Sequence, residues 1–209
     1  MKIIHQTAEY VVVCKAAGED SEHDLPGLLA EQNGDQAADY YVVHRLDKAA
    51  SGLLVLARDR RTAAELSRQL TENRLRKRYL CVVPGVPEPV SGEMQDLLYK
   101  DKMKQKMFPV KRKRAGVKEA SLTYRVLETQ TALTLVEVEL QTGRFHQIRC
   151  QFAARKLPLV GDGKYGSRVQ SPHLGLFCRQ LSFYDPKEKK ELCFAAAPPA
   201  EFPWEIFYD

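Results

Sequence analysis

Strand-type segments follow one another closely in the second half of the chain, and this pattern constrains the fold most. Residues 120–129 and 132–140 both carry it and are separated by a short polar turn. In the second segment apolar side chains alternate with glutamates, as in a strand with one buried face: Val136, Val138 and Leu140 against Glu137 and Glu139. Strands dominate the chain and helices are inserted among them. The sequence therefore predicts an α+β fold with a mixed, largely antiparallel β-sheet.

Further strands and turns are predicted along the rest of the chain. The predicted strands are residues 9–15, 52–57 and 76–85, with more short strands within residues 175–186. Residues 161–166, GDGKYG, predict a glycine-rich turn. Residues 100–118 contain few apolar side chains and no helical stripe, so they predict an excursion such as a hairpin or a long loop.

Three helices are predicted between these strands. Residues 25–32 are typical of a short helix, and residues 59–74 place Ala63, Leu66 and Leu70 on one helical face. A third helix is predicted after Thr142, which is a candidate N-cap. In that helix the apolar side chains fall at helical spacing: Phe145, Ile148 and Phe152.

Length and composition limit the class of protein. With 209 residues and 44% apolar content, the chain is expected to fold as one domain. Its apolar stretches are far shorter than the roughly 20 residues of a membrane span, and no secretory leader is recognised. The five cysteines are odd in number and lack CxxC spacing, and the five histidines lack metal-site spacing. We expect a soluble cytoplasmic protein, most simply a monomer, with no structural metal.

Positive charge is concentrated rather than spread. The net charge is +5, and residues 100–118 contain nine Lys or Arg residues against one Asp. A second cluster of arginines and a lysine lies within residues 60–78. Such clusters favour a polyanionic partner, most commonly a nucleic acid. The alternative is a solvated surface with no partner.

The most informative carboxylate is Asp47, which lies between Arg45 and Lys48 just before a predicted buried strand. A carboxylate can attack a sugar carbon, but a desolvated one needs a neighbouring cation to stay ionised. Arg144 and Arg149 could supply that cation. From the residues alone, an Asp beside arginines is more often a structural ion pair, so the residues favour that interpretation of Asp47.

Two other side chains have a structural and a functional interpretation. Tyr79 follows a run of cations, so it could stack on a base, although a strand tyrosine is usually a core residue. His146 is most simply a core or helix-terminus histidine. Ser51 lies outside a GxSxG motif, and the 161–166 turn lacks the Lys-Ser or Lys-Thr of a phosphate-binding loop, so neither supports a site.

Four stretches in this order resemble the RluA-type pseudouridine synthases. They are HRLDKAASGLLVLAR (44–58), RKRYLCVV (76–83), LQTGRFHQIRCQF (140–152) and LPLVGDGKYG (157–166). A weaker match is YVVVCKAAG (10–18), and the resemblance covers roughly residues 3–184. The chain departs from the family pattern at three positions: Ala16, Ala50 and Phe145 replace Pro, Thr, and Thr or Ser respectively.

The resemblance implies isomerisation of uridine to pseudouridine in rRNA or tRNA, without a cofactor. Asp47 would start the reaction, by attacking C1′ or by removing the 2′ proton. Arg149 would pair with Asp47 and keep it ionised. Tyr79 would stack on the uracil and help to remove the C5 proton. Arg45 would fill the space that the flipped base leaves.

The resemblance also implies a wider RNA-binding set on a single catalytic domain, residues 1–209, without an N-terminal S4 domain. The remaining substrate-binding residues would be His44, Arg144, His146, Lys77 and Arg78. Phosphates would be contacted by Lys111, Arg112, Lys113 and Arg114. Two rival functions stay open: a non-catalytic RNA-binding or ribosome-assembly factor on the same fold, and a hydrolase of the N-glycosidic bond in RNA.

Overall fold

The structure is a computed structural model that describes residues 1–208. It contains eleven β-strands and three α-helices within those residues. The chain divides into two compact units. The first comprises residues 1–77 and 177–198, and the second comprises residues 78–176 and those from 199 onward.

The first unit is built on strands that cover its apolar core. Its elements are β1 (Lys2–Gln6), β2 (Tyr10–Lys15), α1 (Leu25–Asn33), β3 (Tyr41–Val42), β4 (Ser51–Ala57), α2 (Arg60–Thr71), β10 (Leu176–Tyr184) and β11 (Glu191–Ala195). The strand order is β1-β2-β4-β10, with β3 also paired to β4 and β11 to β10. The β4–β10 pair is parallel and the other described pairs are antiparallel. Strands β2 and β4 are almost wholly buried, because their continuous apolar runs leave no polar face for solvent.

The second unit is an antiparallel meander with one helix. Its elements are β5 (Arg76–Pro84), β6 (Ser91–Asp101), β7 (Lys106–Val110), β8 (Val117–Gln130), β9 (Leu133–Leu140) and α3 (Gln147–Ala154). The strand order is β5-β9-β8-β6-β7. Every described pair in this unit is antiparallel. The α+β class and the largely antiparallel pairing predicted from the sequence are confirmed.

Gly52 allows β4 and β10 to approach closely. Its φ is +115°, and a Cβ at this position would collide with the backbone of Cys178. Only glycine fits both the backbone angle and the space. Since Gly52 follows the segment 44–51 directly, this close approach fixes where the charged segment meets the sheet.

Most predicted elements are confirmed, with some corrections. Residues 175–186 contain one nine-residue strand rather than several short ones. Strands β1, β3, β6 and β11 were not predicted, and in β6 the polar and apolar side chains alternate irregularly. Thr142 is not the N-cap of α3, which begins at Gln147 after His146 in a left-handed conformation. The expected hairpin within residues 100–118 is present as β6, β7 and the turn between them.

Candidate active site

A tight turn places Asp47 directly before β4. The amide of Ala50 donates to the backbone carbonyl of Asp47 at 2.9 Å, which closes the turn. One residue earlier, the Leu46 amide donates to the buried Ser21 hydroxyl at 3.2 Å, and that hydroxyl donates to the Leu46 carbonyl at 3.1 Å. Asp47 itself is half-buried. Its position is therefore set by backbone contacts on both sides.

Lys15 binds the backbone of the same turn. The sequence analysis did not identify it as a site residue. It ends β2 and is only 1% exposed. Its Nζ donates to three backbone carbonyls, those of Ala16 (2.9 Å), Glu19 (2.8 Å) and Lys48 (3.2 Å). Burial lowers the pKa of Lys15 to about 8, and negative charges that include Asp47 oppose the shift. A buried cation thus contacts the backbone of the turn that carries Asp47.

His44 lies inside the first unit, where its ring is hydrogen-bonded to β4. The amide of Val55 donates to His44 Nε2 at 3.2 Å, so Nε2 is unprotonated and the neutral ring carries its proton on Nδ1. Burial lowers the pKa of His44 well below its usual value, and the charge of Lys77 adds to the shift. Burial also lowers the pKa of Lys77. The structure thus brings His44 and Lys77 together.

The Arg45 side chain is exposed to solvent, unlike that of His44. Its Nη1 forms an ion pair with Glu22 Oε2 at 2.6 Å, and both side chains are half exposed. Because an exposed ion pair contributes little free energy, Arg45 can exchange this partner for another anion.

Arg149 is fixed by a buried two-point ion pair in the second unit. Its Nε and Nη2 donate to the two carboxylate oxygens of Asp162, each at 2.8 Å. Both side chains are buried: the Arg149 side chain is 8% exposed and the Asp162 side chain 1% exposed. Asp162 also accepts the Tyr165 amide at 3.3 Å, in the predicted glycine-rich turn. This fork-to-carboxylate geometry holds the guanidinium plane in one orientation.

The segment before α3 is tied to β8 through Gln147. The Gln147 side-chain carbonyl accepts the Thr142 hydroxyl at 2.8 Å and the Arg144 amide at 3.0 Å, while its amide group donates to the Ser121 carbonyl at 3.0 Å. Arg144 is exposed, and its Nε donates to the Glu119 carbonyl at 2.8 Å. Thr142 acts in this side-chain network rather than as a helix cap.

His146 is buried in an aromatic cluster with Phe145 and Tyr165. Its ring stacks on Phe145 with centroids 3.7 Å apart, and its Nδ1 lies 3.2 Å from the Tyr165 hydroxyl. The Tyr165 oxygen accepts the Met107 amide at 2.9 Å. Burial raises the pKa of Tyr165, so the hydroxyl keeps its proton. The Arg149 guanidinium carbon lies 5.2 Å from the centre of the Tyr165 ring.

Tyr79 and Arg78 are neighbours on β5 with opposite environments. Tyr79 is buried and faces Val138 of β9. Arg78 is exposed, and its Nε pairs with Glu139 at 3.2 Å. The period-two alternation of a strand explains the difference.

The four predicted phosphate contacts are exposed on the loop between β7 and β8: Lys111, Arg112, Lys113 and Arg114. Lys113 forms an exposed ion pair with Glu119 at 2.5 Å. Arg114 lies over the Tyr99 ring, 5.0 Å from its centre. Three of the four cations thus have no carboxylate within ion-pair distance among the described residues.

The structure places the predicted site residues in both units, and other residues hold them in position. The structure groups His44, Arg45, Asp47 and Lys77 in the first unit, and Tyr79, Arg144, His146 and Arg149 in the second. The residues that hold them were missed: Lys15, Ser21, Asp162 and Tyr165. A signal was present for three of these, because Lys15, Asp162 and Tyr165 lie in stretches that match the family.

Comparison with known proteins decides the family. The sequence model described as RNA pseudouridylate synthase matches residues 8–154, a span that contains Asp47, Tyr79 and Arg149. The chain belongs to the RNA pseudouridylate synthase family. The recognition made from the sequence motifs is therefore confirmed, including the resemblance of the GRFHQIR segment.

Named relatives agree with this assignment. RNA pseudouridine synthase 2, chloroplastic, from Arabidopsis thaliana is 34% identical over 156 residues, which is 72% of this chain and 36% of that protein. Ribosomal large subunit pseudouridine synthase C from Buchnera aphidicola is 30% identical over 164 residues, 74% of this chain and 52% of that protein. The chain thus spans from about a third to half of the length of these relatives.

A solved structure shows the same fold. Human RNA Pseudouridylate Synthase Domain Containing 4 superimposes with a TM-score of 0.78 at 26% identity, covering 95% of this chain and 88% of that one. Among residues 1–208, no helix is long and apolar enough to cross a membrane. Within the same residues, no group of three or more His, Cys, Asp or Glu side chains is placed to hold a metal ion.

Proposed function

We propose that this chain is an RNA pseudouridine synthase that isomerises specific uridines in rRNA or tRNA, with residues 1–209 acting as one catalytic domain. The observation that carries the proposal is the family match across residues 8–154, with the HRLD segment intact around Asp47. The reaction breaks the N1–C1′ bond, rotates the uracil and forms a C5–C1′ bond. N1 gains a proton and C5 loses one, so no redox partner is needed.

Asp47 is the group that starts the reaction in this proposal. It either attacks C1′ or removes the 2′ proton. Both routes require an ionised carboxylate held at a fixed position. The contacts of Ser21 and Lys15 with the Asp47 turn support that role, because they fix the backbone on either side of Asp47 and place a buried positive charge near it.

Arg149 is the proposed cationic partner of Asp47. Its Nε and Nη2 are engaged by Asp162. The positive charge of Arg149 would keep the Asp47 carboxylate ionised. The two-point pair with Asp162 supports this role, since it holds the guanidinium plane in one orientation.

The target uridine must leave its stack to reach Asp47, at a cost of a few kcal/mol. Tyr79 stacks on the flipped uracil and helps to remove the C5 proton. Arg45 gives up Glu22 and fills the space left by the base. The solvent exposure of Arg45 and of its ion pair with Glu22 supports that role.

The other predicted residues are assigned to RNA binding. His44 and Lys77 lie close to each other in the first unit, and Arg78, Arg144 and His146 belong to the second. Because its ring is buried and hydrogen-bonded to β4, His44 supports the binding segment and does not itself touch RNA. The exposed cations of the β7–β8 loop contact phosphates: Lys111, Arg112, Lys113 and Arg114.

Product analysis tests the proposal. The chain would be incubated with uridine-labelled rRNA and tRNA transcripts, and the digested nucleosides would be separated. We expect pseudouridine and no free uracil. Free uracil would instead identify a hydrolase of the N-glycosidic bond. RNA binding with unchanged uridine would favour the non-catalytic RNA-binding or assembly factor.

A further inference from the structure

The turn between β6 and β7 carries a side chain that the proposed reaction does not use. Met103 lies at the tip of this turn, residues 102–105, and is 94% exposed. It is the most exposed large apolar side chain among residues 1–208. Lysines flank it on both sides in the sequence: Lys100, Lys102, Lys104 and Lys106. An isolated exposed apolar side chain is ordinary, but one at the tip of a cationic hairpin is a distinct arrangement.

The turn is held in shape by its own polar groups. The Lys104 amide donates to Asp101 Oδ1 at 2.9 Å, and the Gln105 side chain donates to the Lys102 carbonyl at 2.7 Å. Gln105 takes a left-handed φ of +45°. These bonds fix the backbone on both sides of Met103, so the methionine is presented outward before any partner binds.

The turn is also fastened to the segment that positions Arg149. Lys106 Nζ donates to the Lys164 carbonyl at 2.6 Å, and Lys164 Nζ donates to the Gln105 carbonyl at 3.2 Å. The Met107 amide donates to the Tyr165 hydroxyl. Residues 163–165 follow Asp162, the partner of Arg149. Three hydrogen bonds therefore set the distance between the Met103 tip and the Arg149 pair.

We propose that Met103 is a wedge that inserts between stacked bases of the RNA beside the target uridine, while Lys102 and Lys104 bind the phosphates on either side. This inference rests on the proposed function and adds an RNA-distorting element to it. The partner is base-paired or stacked RNA, not an already unstacked strand.

The chemistry of the tip fits that partner. Transfer of an apolar side chain out of water is favourable in free energy. Stacked RNA bases have apolar faces, and the backbone around them is polyanionic. Lys102 and Lys104 are exposed, so their charges are available to phosphates. Methionine is flexible and polarizable, which suits contact with base faces. Unstacking one step lowers the cost of flipping a neighbouring nucleotide.

Fluorescence of 2-aminopurine in the stem of an RNA hairpin tests the wedge, because this base brightens when it is unstacked. We expect wild type to raise the fluorescence at saturating protein. Met103→Ala and the similarly long, polar Met103→Gln should lose most of that rise and bind the hairpin several-fold more weakly. Met103→Leu should retain it. None of these variants should change the salt dependence of binding, since no charge is altered.

Val90→Ala is the matched control, because Val90 is also an exposed apolar side chain (58%) but lies outside the lysine cluster. It should behave as wild type, and Met103→Ala should bind a single-stranded RNA of the same composition normally. The proposal is overturned if wild type binds without brightening the probe, does not bind it, or brightens it no more than Met103→Ala. Pseudouridine formation is a separate measurement, so failure of the wedge and failure of the proposed reaction can be told apart.

Discussion

Arg149 and Asp162 form a buried ion pair in which two guanidinium nitrogens contact the two carboxylate oxygens at 2.8 Å. The arginine comes from the first turn of α3 and the aspartate from the turn at residues 162–166. The pair therefore joins two of the four stretches that resemble the family. It also makes the orientation of Arg149 a property of the fold rather than of bound RNA.

Asp162→Asn should destabilise the protein and lower its activity. Removing one partner of a buried ion pair typically costs about 3–5 kcal/mol, and here Arg149 would lose the carboxylate that it contacts at two points. Urea unfolding would measure the free-energy change. Glu191→Gln is the control, because its pair with Arg76 is exposed and should contribute less than about 1 kcal/mol. Equal losses of unfolding free energy in the two variants would show that the buried Asp162 pair stabilises the protein no more than the exposed Glu191 pair.

Lys15→Met should weaken both folding and turnover. The carbonyls of Ala16 and Glu19 would lose the Lys15 donor, and an unsatisfied buried acceptor costs about 1–3 kcal/mol. The Lys48 carbonyl would lose Lys15 and keep only the Gly18 amide, which donates to it at 2.8 Å. Since one of these carbonyls belongs to Lys48, the Asp47 turn should loosen. We expect a fall in kcat beyond what the unfolded fraction explains, measured at a temperature where the variant is folded. Wild-type kcat would contradict the positioning role.

His44 should make stability depend on pH below about 6.5. Its folded pKa is depressed, so the unfolded chain binds a proton there before the folded chain does. The stability that neutral His44 contributes is complete above pH 6.5 and is lost as the pH falls towards the depressed folded value. His44→Gln keeps an acceptor for the Val55 amide but cannot titrate. The wild-type free energy of unfolding should fall more steeply with acid than that of His44→Gln, and parallel curves would contradict this.

Neutralising the β7–β8 loop should flatten the salt dependence of RNA binding. Each lost phosphate contact lowers the slope of log K against log salt by about 0.7–0.9. The triple variant Lys111→Gln, Arg112→Gln, Arg114→Gln leaves the Lys113–Glu119 pair in place. The matched control replaces three other exposed cations, Lys187, Lys189 and Lys190. An unchanged slope for the loop variant would make the loop a solvated surface only.

The sequence predicted those parts of the fold and site whose signal is local. Residues 52–57, and residues 10–14 within the predicted strand 9–15, are continuous apolar runs, and both lie in buried strands. The family motifs pointed to Asp47, Tyr79 and Arg149 because each motif is a short run of neighbouring residues. The roles of these three side chains stay predictions.

Contacts between distant positions could not be predicted in the same way. Ser21 binds the backbone of Leu46 across 25 positions, and Lys15 binds the Lys48 carbonyl across 33. A backbone carbonyl carries no sequence signature, so nothing marks it as the acceptor. Thr142 shows the converse error: a residue type that often caps helices instead bonds to Gln147 and the Ser121 amide.

Release of tritium from RNA that carries the label at uridine C5 tests the central claim most directly. Isomerisation must exchange the C5 hydrogen, whereas binding and simple loss of the base need not. We predict release by wild type, by the exposed-carboxylate control Asp39→Asn, and none by Asp47→Asn, which should still bind RNA. Release by Asp47→Asn at the wild-type rate, or no release by wild type on ribosomal and transfer RNA, would contradict the account.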